Sequence, residues 1–236
     1  MTRTLGLACA AFILAIYLLD ASWLAARPEG EPRLYAHRGV HQPYDREGLT
    51  AETCTAARML PPTHGYLENM LPSMKAAFAY GADRVEIDIY RTRDGEWAVF
   101  HDHGVACRTD GHGGVRDHTM AELKALDIGY GYTADGGATF PFRGRFVGAM
   151  PTLAEVLTTF PTQGFDLHVK GGTAEDAEAL AVYLGELPTA NLHRLTGYAR
   201  PHFDRRRNAL GTGVPLHGRH RVKACMTAYL LTGWTG

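Results

Sequence analysis

The sequence predicts an α/β domain of alternating strands and helices, arranged as a (β/α) barrel and preceded by an N-terminal hydrophobic helix. Three observations predict this fold class. Short apolar runs of strand length alternate with longer helical segments, which is the pattern of a parallel sheet with helices outside it. Residues suited to catalysis follow several of these runs, and in a barrel such residues lie at the carboxyl ends of the strands. A continuous apolar stretch, residues 5–19, comes before all of them.

The strands are predicted from short runs of apolar and β-branched residues that end at turns or at polar groups. The first run stops at His37, and the turn-like segment 93–95 separates the second run from the third. Beyond Lys170 the sequence patterns that indicate strands become weaker. The predicted strands are residues 33–36, 84–89, 97–100, 165–169, 195–198 and 214–217.

The helices are predicted from periodic apolar positions and from their end signals. Pro72 stands near the start of one helix, and Gly81 follows its end as a C-terminal cap. Thr152 and Glu155 form the T-x-x-E capping box that begins another helix. The predicted helices are residues 72–80, 120–126, 152–159, 174–184, 200–209 and 223–231.

The number of strands predicts an incomplete barrel. Four strand signals precede Lys170, whereas a closed barrel has eight strands, and each βα unit takes about 30 residues. The sequence after Lys170 provides enough residues for about two more units. We therefore predict a domain at residues 33–236 that is truncated at its C-terminus, joined by a linker at residues 27–32 to the N-terminal segment.

The N-terminal segment, residues 1–26, is predicted to be a membrane anchor or a signal segment. Its apolar stretch follows Arg3 and is interrupted by Asp20. A signal-peptide cleavage site requires small residues at positions −3 and −1, but cutting after Ala26 or Ala25 places Leu24 or Trp23 at −3. The sequence thus favours an uncleaved anchor, with the domain outside the cytoplasm, in the periplasm or at the cell surface. Cleavage would instead give a secreted protein.

Composition restricts the class of protein. The 236 residues are 45% hydrophobic and 21% charged, as expected for a folded domain with a substantial core. The net charge is -1, and the absence of a long basic run argues against a nucleic-acid partner.

None of the four cysteines forms a CxxC pair, so a cysteine zinc site is not indicated. Cys54 and Cys107 can pair in an oxidising compartment, and free thiols are an equal alternative.

The residues that carry chemistry cluster between Tyr35 and Asp102. Glu86 and Asp88 occupy alternate positions of a strand, so their carboxylates point to one face and can share a hard cation. His37 and His101 end two other strands, and histidine is the usual proton carrier near neutral pH. Either feature alone is common in structural roles. Together they predict a metal-assisted hydrolase.

Seven short motifs occur in the order found in one family, and they cover more than half of the chain. They are His37-Arg38-Gly39, Glu68-Asn69, Gly81-Ala82-Asp83 before Glu86-x-Asp88, Thr92-x-Asp94-Gly95, His101-Asp102, and the segments 107–111 and 151–156. In these motifs the chain resembles the glycerophosphodiester phosphodiesterase family. The resemblance implies a TIM-type barrel that hydrolyses glycerophosphodiesters to glycerol 3-phosphate and an alcohol, with a divalent metal ion.

The resemblance also implies roles for individual residues. His37 and His101 would be the acid/base or nucleophilic pair, one on each side of the phosphorus. Glu86 and Asp88 would bind Ca²⁺ or Mg²⁺ through oxygen ligands, and Glu68 is a further candidate ligand. The candidate contacts to the substrate phosphate are Arg38, Asn69 and Lys170.

His168 is the main departure from the family pattern. The family carries a metal-binding glutamate two residues before the lysine, and here that position is His168, before Lys170. Imidazole binds Mn or Zn better than Ca, so these ions join Ca and Mg as candidate cofactors. Asp166 lies on the same face of the strand and is an alternative ligand.

The leading hypothesis is therefore a metal-dependent glycerophosphodiester phosphodiesterase of lipid catabolism, held at the membrane by its N-terminal segment. Two alternatives stay open. One is a phospholipase-D-like lipid phosphodiesterase, in which the long loop 39–65 would form an apolar lip. The other is a non-catalytic, phosphate-binding envelope protein with a weakened metal site. The sequence does not indicate an oligomeric state.

Overall fold

The computed structural model describes residues 2–19, 30–50, 52–199, 214 and 216–232. These residues divide into two compact units. The larger unit is Arg33–Leu216, and it contains every residue predicted to act in the site. The smaller unit consists of Met1–Pro32 and His217–Gly236. The predicted domain boundaries stay a prediction.

The sheet is built mainly from parallel strands. Strands β1, β2, β4 and β5 lie side by side in that order, and each neighbouring pair is parallel. This arrangement confirms the predicted α/β class with a parallel sheet. The strands among the described residues are β1 (Tyr35–His37), β2 (Arg84–Arg91), β3 (Trp97–Val99), β4 (Gly164–Val169), β5 (Leu195–Ala199) and β6 (Leu216–Gly218).

One strand included in the predicted barrel count does not belong to the parallel set. Strand β3 pairs with β2 in the antiparallel direction, with Ile89 opposite Val99. The connection of five residues between them is long enough for a hairpin, whereas a parallel crossover needs a dozen or more residues. In the part of the chain that the structure describes, three parallel strands, not four, therefore precede Lys170.

The helices begin and end close to the predicted residues. Thr152 accepts a hydrogen bond from the Glu155 amide at 3.0 Å, and the Glu155 side chain accepts one from the Thr152 amide at 2.8 Å, so the predicted capping box is confirmed. The α-helices are α1 (Thr2–Leu19), α2 (Leu71–Ala79), α3 (Met120–Ala125), α4 (Leu153–Thr159), α5 (Ala174–Glu186), α6 (Thr189–Leu192) and α7 (Arg219–Thr232). The predicted helix at residues 200–209 lies outside the described residues.

The two faces of β2 serve different purposes. Val85, Ile87 and Ile89 are fully buried and pack into an apolar core with side chains of α2, α4, α5 and β4. Because side chains alternate along a strand, Glu86 and Asp88 point to the opposite face. Both are nevertheless buried, so the strand carries two acidic groups into the interior. Buried charges of this kind require partners.

In the smaller unit, helix α1 spans the apolar N-terminal stretch. Its large side chains, such as Phe12 and Ile13, are exposed. Within the described part of the chain, no helix combines the length and the apolarity needed to cross a membrane. The predicted membrane anchor is therefore not supported by this helix, and its residues 20–26 lie outside the described residues.

Candidate active site

The carboxyl ends of three adjacent parallel strands bring the predicted residues together. In the register of β1 and β2, His37 lies opposite Glu86, and in that of β2 and β4, Asp88 lies opposite His168. The Phe100 amide donates to the Asp88 carbonyl at 3.0 Å, which brings His101 close to the same edge. Residues 37, 86–88, 101 and 168 thus meet although they are far apart in sequence.

Glu86, Asp88 and His168 form a group that can hold a metal ion. One ligand atom from each lies within 4.8 Å of the others. The Nδ1 atom of His168 lies 2.8 Å from Asp88 Oδ1 and 3.4 Å from Glu86 Oε1. Two carboxylates and an imidazole are a suitable donor set for a divalent cation. The alternative ligand Asp166 accepts a hydrogen bond from the Thr196 hydroxyl at 3.0 Å and is not in this group.

The group is balanced by positive charge. Burial alone would raise the pKa of Asp88, but the hydrogen bond with His168 and the positive charge of His101 lower it well below its usual range. Burial alone would lower the pKa of His168, but its hydrogen bonds to Asp88 and Glu86 raise it. Lys170 adds a third positive group, with its Nζ 3.5 Å from Asp88 Oδ1. Asp88 therefore stays ionised, as a carboxylate ligand of a metal must.

Two turns with strained backbone conformations place Arg38 and Asn69 beside Asp88. Both residues have positive φ, 62° and 59°, a conformation that costs non-glycine residues roughly 1–2 kcal/mol each. The Asn69 amide donates to the Arg38 carbonyl at 2.9 Å, which joins the two turns. The Asn69 side chain donates to Asp88 Oδ2 at 3.0 Å and accepts from the Asp88 amide at 3.1 Å. Such strain concentrates at functional sites, where surrounding contacts hold it.

Arg38 and Glu68 form a buried ion pair at the same edge. The Nη1 atom of Arg38 lies 3.0 Å from Glu68 Oε1, and its Nε lies 3.4 Å from Asp88 Oδ2. Glu68 is not in the group of three candidate ligands. The structure pairs it with arginines instead, and its predicted role as a metal ligand stays a prediction.

The two predicted catalytic histidines have different surroundings. The His37 side chain is 60% exposed, and its Nε2 lies 3.9 Å from Glu86 Oε2. Partial burial and the charge of Arg38 lower the pKa of His37, which favours the neutral ring that a base or nucleophile requires. His101 is less exposed, and its Nδ1 lies 2.6 Å from Asp102 Oδ1.

Asp102 is an ionised partner for His101. Burial alone would raise the pKa of Asp102, but the hydrogen bond from His101 and the charge of Arg108 lower it to about 2. Because an ionised carboxylate only accepts, His101 carries its proton on Nδ1 in this pair and leaves Nε2 available to the substrate. Asp102 therefore orients the His101 ring through this contact.

Arg108 belongs to the motif segment 107–111 and is a buried residue of the site. It lies beside the disulfide between Cys54 and Cys107, whose Cα atoms are 5.4 Å apart. The pairing of these two cysteines, one of two alternatives from the sequence, is confirmed. Arg108 is only 3% exposed and forms ion pairs with Asp102 and Glu68. In the sequence, the neighbouring Cys107 is the signal that a disulfide fixes the backbone next to Arg108.

An open cleft of about 550 Å³ lies beside the candidate residues. His101, Asp102 and Lys170 line one part of it. The disulfide, Tyr90, His103, Gly104 and Ala106 line much of the rest. A cleft of this size accommodates a small polar molecule next to His101.

Comparisons with known proteins agree with this geometry. Residues 37–211 match the model of the glycerophosphoryl diester phosphodiesterase family. A glycerophosphodiester phosphodiesterase of Caldanaerobacter subterraneus subsp. tengcongensis is 35% identical over 108 residues, which are 44% of this chain and 40% of that protein. A Bacillus subtilis protein of the same name is 37% identical over 100 residues, 41% of this chain and 33% of that protein. The chain thus matches less than half the length of these curated relatives.

Solved structures share the fold. The glycerophosphoryl diester phosphodiesterase domain of a Mycobacterium tuberculosis protein has a TM-score of 0.64 at 20% identity, covering 87% of this chain and 67% of that one. A glycerophosphodiester phosphodiesterase of Agrobacterium tumefaciens has a TM-score of 0.53 at 21% identity, covering 79% and 66%. The family match extends over most of the chain and includes the strand ends described above. The chain therefore belongs to the glycerophosphoryl diester phosphodiesterase family.

Proposed function

We propose that this protein hydrolyses glycerophosphodiesters to glycerol 3-phosphate and an alcohol in a reaction that depends on a divalent metal ion. The observation that carries the proposal is the group Glu86, Asp88 and His168, placed between two histidines at the ends of parallel strands. Neither the phospholipase-D-like alternative nor the non-catalytic alternative gains support, since the matched relatives are named as glycerophosphodiester phosphodiesterases.

The phosphodiester would bind where positive groups surround the acidic pair. A metal ion bound by Glu86, Asp88 and His168 would neutralise charge on the phosphate oxygens. Lys170 and Arg38, both with a small exposed fraction, would contribute fixed positive charge to the same oxygens. This arrangement stabilises the charge that develops as the phosphorus is attacked.

The two histidines would act on opposite sides of the phosphorus. His37, with its ring exposed and its neutral form favoured, is suited to activate water or to attack directly. His101, held at Nδ1 by Asp102, would in its doubly protonated form deliver the proton on Nε2 to the departing alcohol oxygen and keep the proton on Nδ1. The cleft beside His101 would then hold that alcohol. We propose a small polar alcohol, because charged residues line the cleft.

The test measures glycerol 3-phosphate released from glycerophosphocholine and glycerophosphoethanolamine by the full chain, with Mg²⁺, Ca²⁺, Mn²⁺ and Zn²⁺ in turn. Asp88→Asn should abolish release and lower metal affinity in calorimetry, because the buried carboxylate is lost. Glu175→Gln, a change of the same type at an exposed residue of α5, is the matched control. Failure of the unaltered protein to release product with every ion would refute the proposal.

The choice of metal depends on His168. With imidazole among three ligands, we expect tighter binding of Mn²⁺ and Zn²⁺ than of Ca²⁺. His168→Glu should reverse this preference, because it supplies a third hard oxygen ligand. Calorimetry with each ion measures this directly, and an unchanged order of affinities would show that His168 is not a ligand.

We also propose that the domain works outside the cytoplasm. The disulfide between Cys54 and Cys107 supports this, since such bonds persist mainly in oxidising compartments. Fusion of residues 1–32 to a reporter enzyme that is active only after export tests the proposal. An inactive reporter that is produced in normal amounts would contradict it.

A further inference from the structure

We infer that Arg108 is a positioning residue that aligns the proton-donating side and the phosphate-binding side of the site through a single buried guanidinium. The inference rests on the proposed function. Arg108 itself is almost completely buried, so it acts through its neighbours rather than on the substrate. Its two ion-pair partners among the described residues are the carboxylates of Asp102 and Glu68, and each of these holds a residue with a proposed chemical role.

The first connection leads to His101. The Nε atom of Arg108 lies 2.8 Å from Asp102 Oδ2, and Nη2 donates to Asp102 Oδ1 at 3.4 Å. The same Oδ1 atom accepts the short hydrogen bond from His101 Nδ1. Arg108 therefore contacts both oxygens of the carboxylate that fixes the His101 ring. A carboxylate held in this way fixes both the orientation and the protonated nitrogen of its histidine.

The second connection leads to Arg38. The Nη2 atom of Arg108 lies 3.3 Å from Glu68 Oε1, and Arg38 Nη1 lies 3.0 Å from the same oxygen. The two arginines thus share one carboxylate oxygen, which offsets their mutual repulsion. Arg38 also reaches Asp88 Oδ2 with its Nε at 3.4 Å. A shift of Glu68 would therefore move Arg38 relative to the acidic pair.

The guanidinium is itself anchored by neutral groups. Its Nη1 donates to the Tyr132 hydroxyl at 2.7 Å, and its Nη2 donates to Thr55 Oγ1 at 2.8 Å. Thr55 follows Cys54 in the chain, and Arg108 follows Cys107. The disulfide therefore joins the segment of the donor, Arg108, to the segment of the acceptor, Thr55. Lysine carries the same charge but lacks the planar fork, so it cannot satisfy these partners together.

The experiment compares Arg108→Lys with Arg93→Lys. The Nη2 atom of Arg93 donates to both carboxylate oxygens of Glu122 on the surface, so the two residues form an arginine–carboxylate pair away from the site. With glycerophosphocholine as substrate, we expect Arg108→Lys to lower kcat by about 10–100-fold, the loss typical of a displaced supporting residue. Arg93→Lys should leave kcat unchanged.

A second readout separates positioning from a purely structural role. Nitrogen-15 spectra of the histidine rings in the folded, metal-free protein, recorded at a pH at which the His101 ring is neutral, should show His101 protonated at Nδ1. In Arg108→Lys this signal should shift toward a mixture of the two tautomers. An unchanged tautomer together with unchanged kcat per folded molecule would overturn the inference. Because the spectra need no substrate, they test the role of Arg108 even if the protein hydrolyses no glycerophosphodiester.

A milder variant covers the case in which Arg108→Lys does not fold. Tyr132→Phe removes one hydrogen bond to the guanidinium and leaves both carboxylates in place. We expect a smaller change in the same two measurements. If Tyr132→Phe folds and changes neither kcat nor the His101 tautomer, the inference is refuted.

Discussion

Replacing Gly39 with alanine should destabilise the protein much more than the same replacement at Gly48. Both glycines have positive φ, +75° and +62°, so both changes incur the cost of a left-handed conformation, roughly 1–2 kcal/mol. At Gly48 an added Cβ meets nothing within 4 Å. At Gly39 it would lie 2.2 Å from the Ser73 hydroxyl oxygen and 3.0 Å from the Ser73 carbonyl carbon.

The overlap at Gly39 cannot be relieved easily. Ser73 is fully buried in the first turn of α2, and its hydroxyl donates to the Arg38 carbonyl at 3.2 Å. Forcing an extra carbon into such a site typically costs about 1–3 kcal/mol more. We therefore expect Gly39→Ala to lose roughly 2–5 kcal/mol in total, against roughly 1–2 for Gly48→Ala. For a domain of this size each kcal/mol lowers the melting temperature by about 2–4 °C.

Urea denaturation followed by circular dichroism measures the free energy of unfolding of each variant. A double variant, Gly39→Ala with Ser73→Ala, removes the closest contact and leaves the one to the backbone. It should therefore lose less stability than the sum of the two single changes. Equal losses for Gly39→Ala and Gly48→Ala would show that the turn at Arg38 is not packed against α2 as described.

Two further predictions concern the segments around His101. Because Cys54 and Cys107 are 53 residues apart, replacing both with serine should lower the free energy of unfolding by about 4 kcal/mol in the chain-entropy model, whereas Cys9→Ser should not change it. Denaturation with and without reductant checks this, and equal midpoints would contradict it. The pKa of Asp102 is lowered from 3.8 to about 2, so its carboxylate contributes stability that is complete above about pH 4 and is lost as the pH falls toward 2. Asp102→Asn should remove this part of the acid sensitivity in unfolding curves between pH 4 and pH 2, and identical slopes for both proteins would refute it.

The features of the fold that local chemistry determines were predictable from the sequence. A capping box specifies its helix start through two hydrogen bonds between residues three apart, as Thr152 and Glu155 do. The alternation of Val85, Glu86, Ile87 and Asp88 determines which side chains share a face of β2. The direction of β3 is not a property of its own residues. It follows from the length of its connection to β2, which a count of strand signals ignores.

The sequence identified the individual residues of the candidate site, but it did not show which of them contact each other. Asp102 lies next to His101 in the chain, so its orienting role could be inferred. Glu68 and Arg108 are 40 positions apart, and a local pattern cannot show that they meet. Glu68 was consequently interpreted from its motif as a metal ligand, while the structure surrounds it with two guanidinium groups.

The arrangement of the three candidate ligands depends on strand register. Side chains alternate along each strand, so a shift of one residue between β2 and β4 would place His168 on the opposite face from Asp88. The apolar neighbours prevent such a shift, because Val85 pairs with Phe165 and Ile87 with Leu167, and all four are fully buried. The slip would expose these side chains to the site and bury polar ones in the core, at about 1.5–3 kcal/mol for each large apolar group. The core that stabilises the sheet therefore also determines which residues can bind the metal.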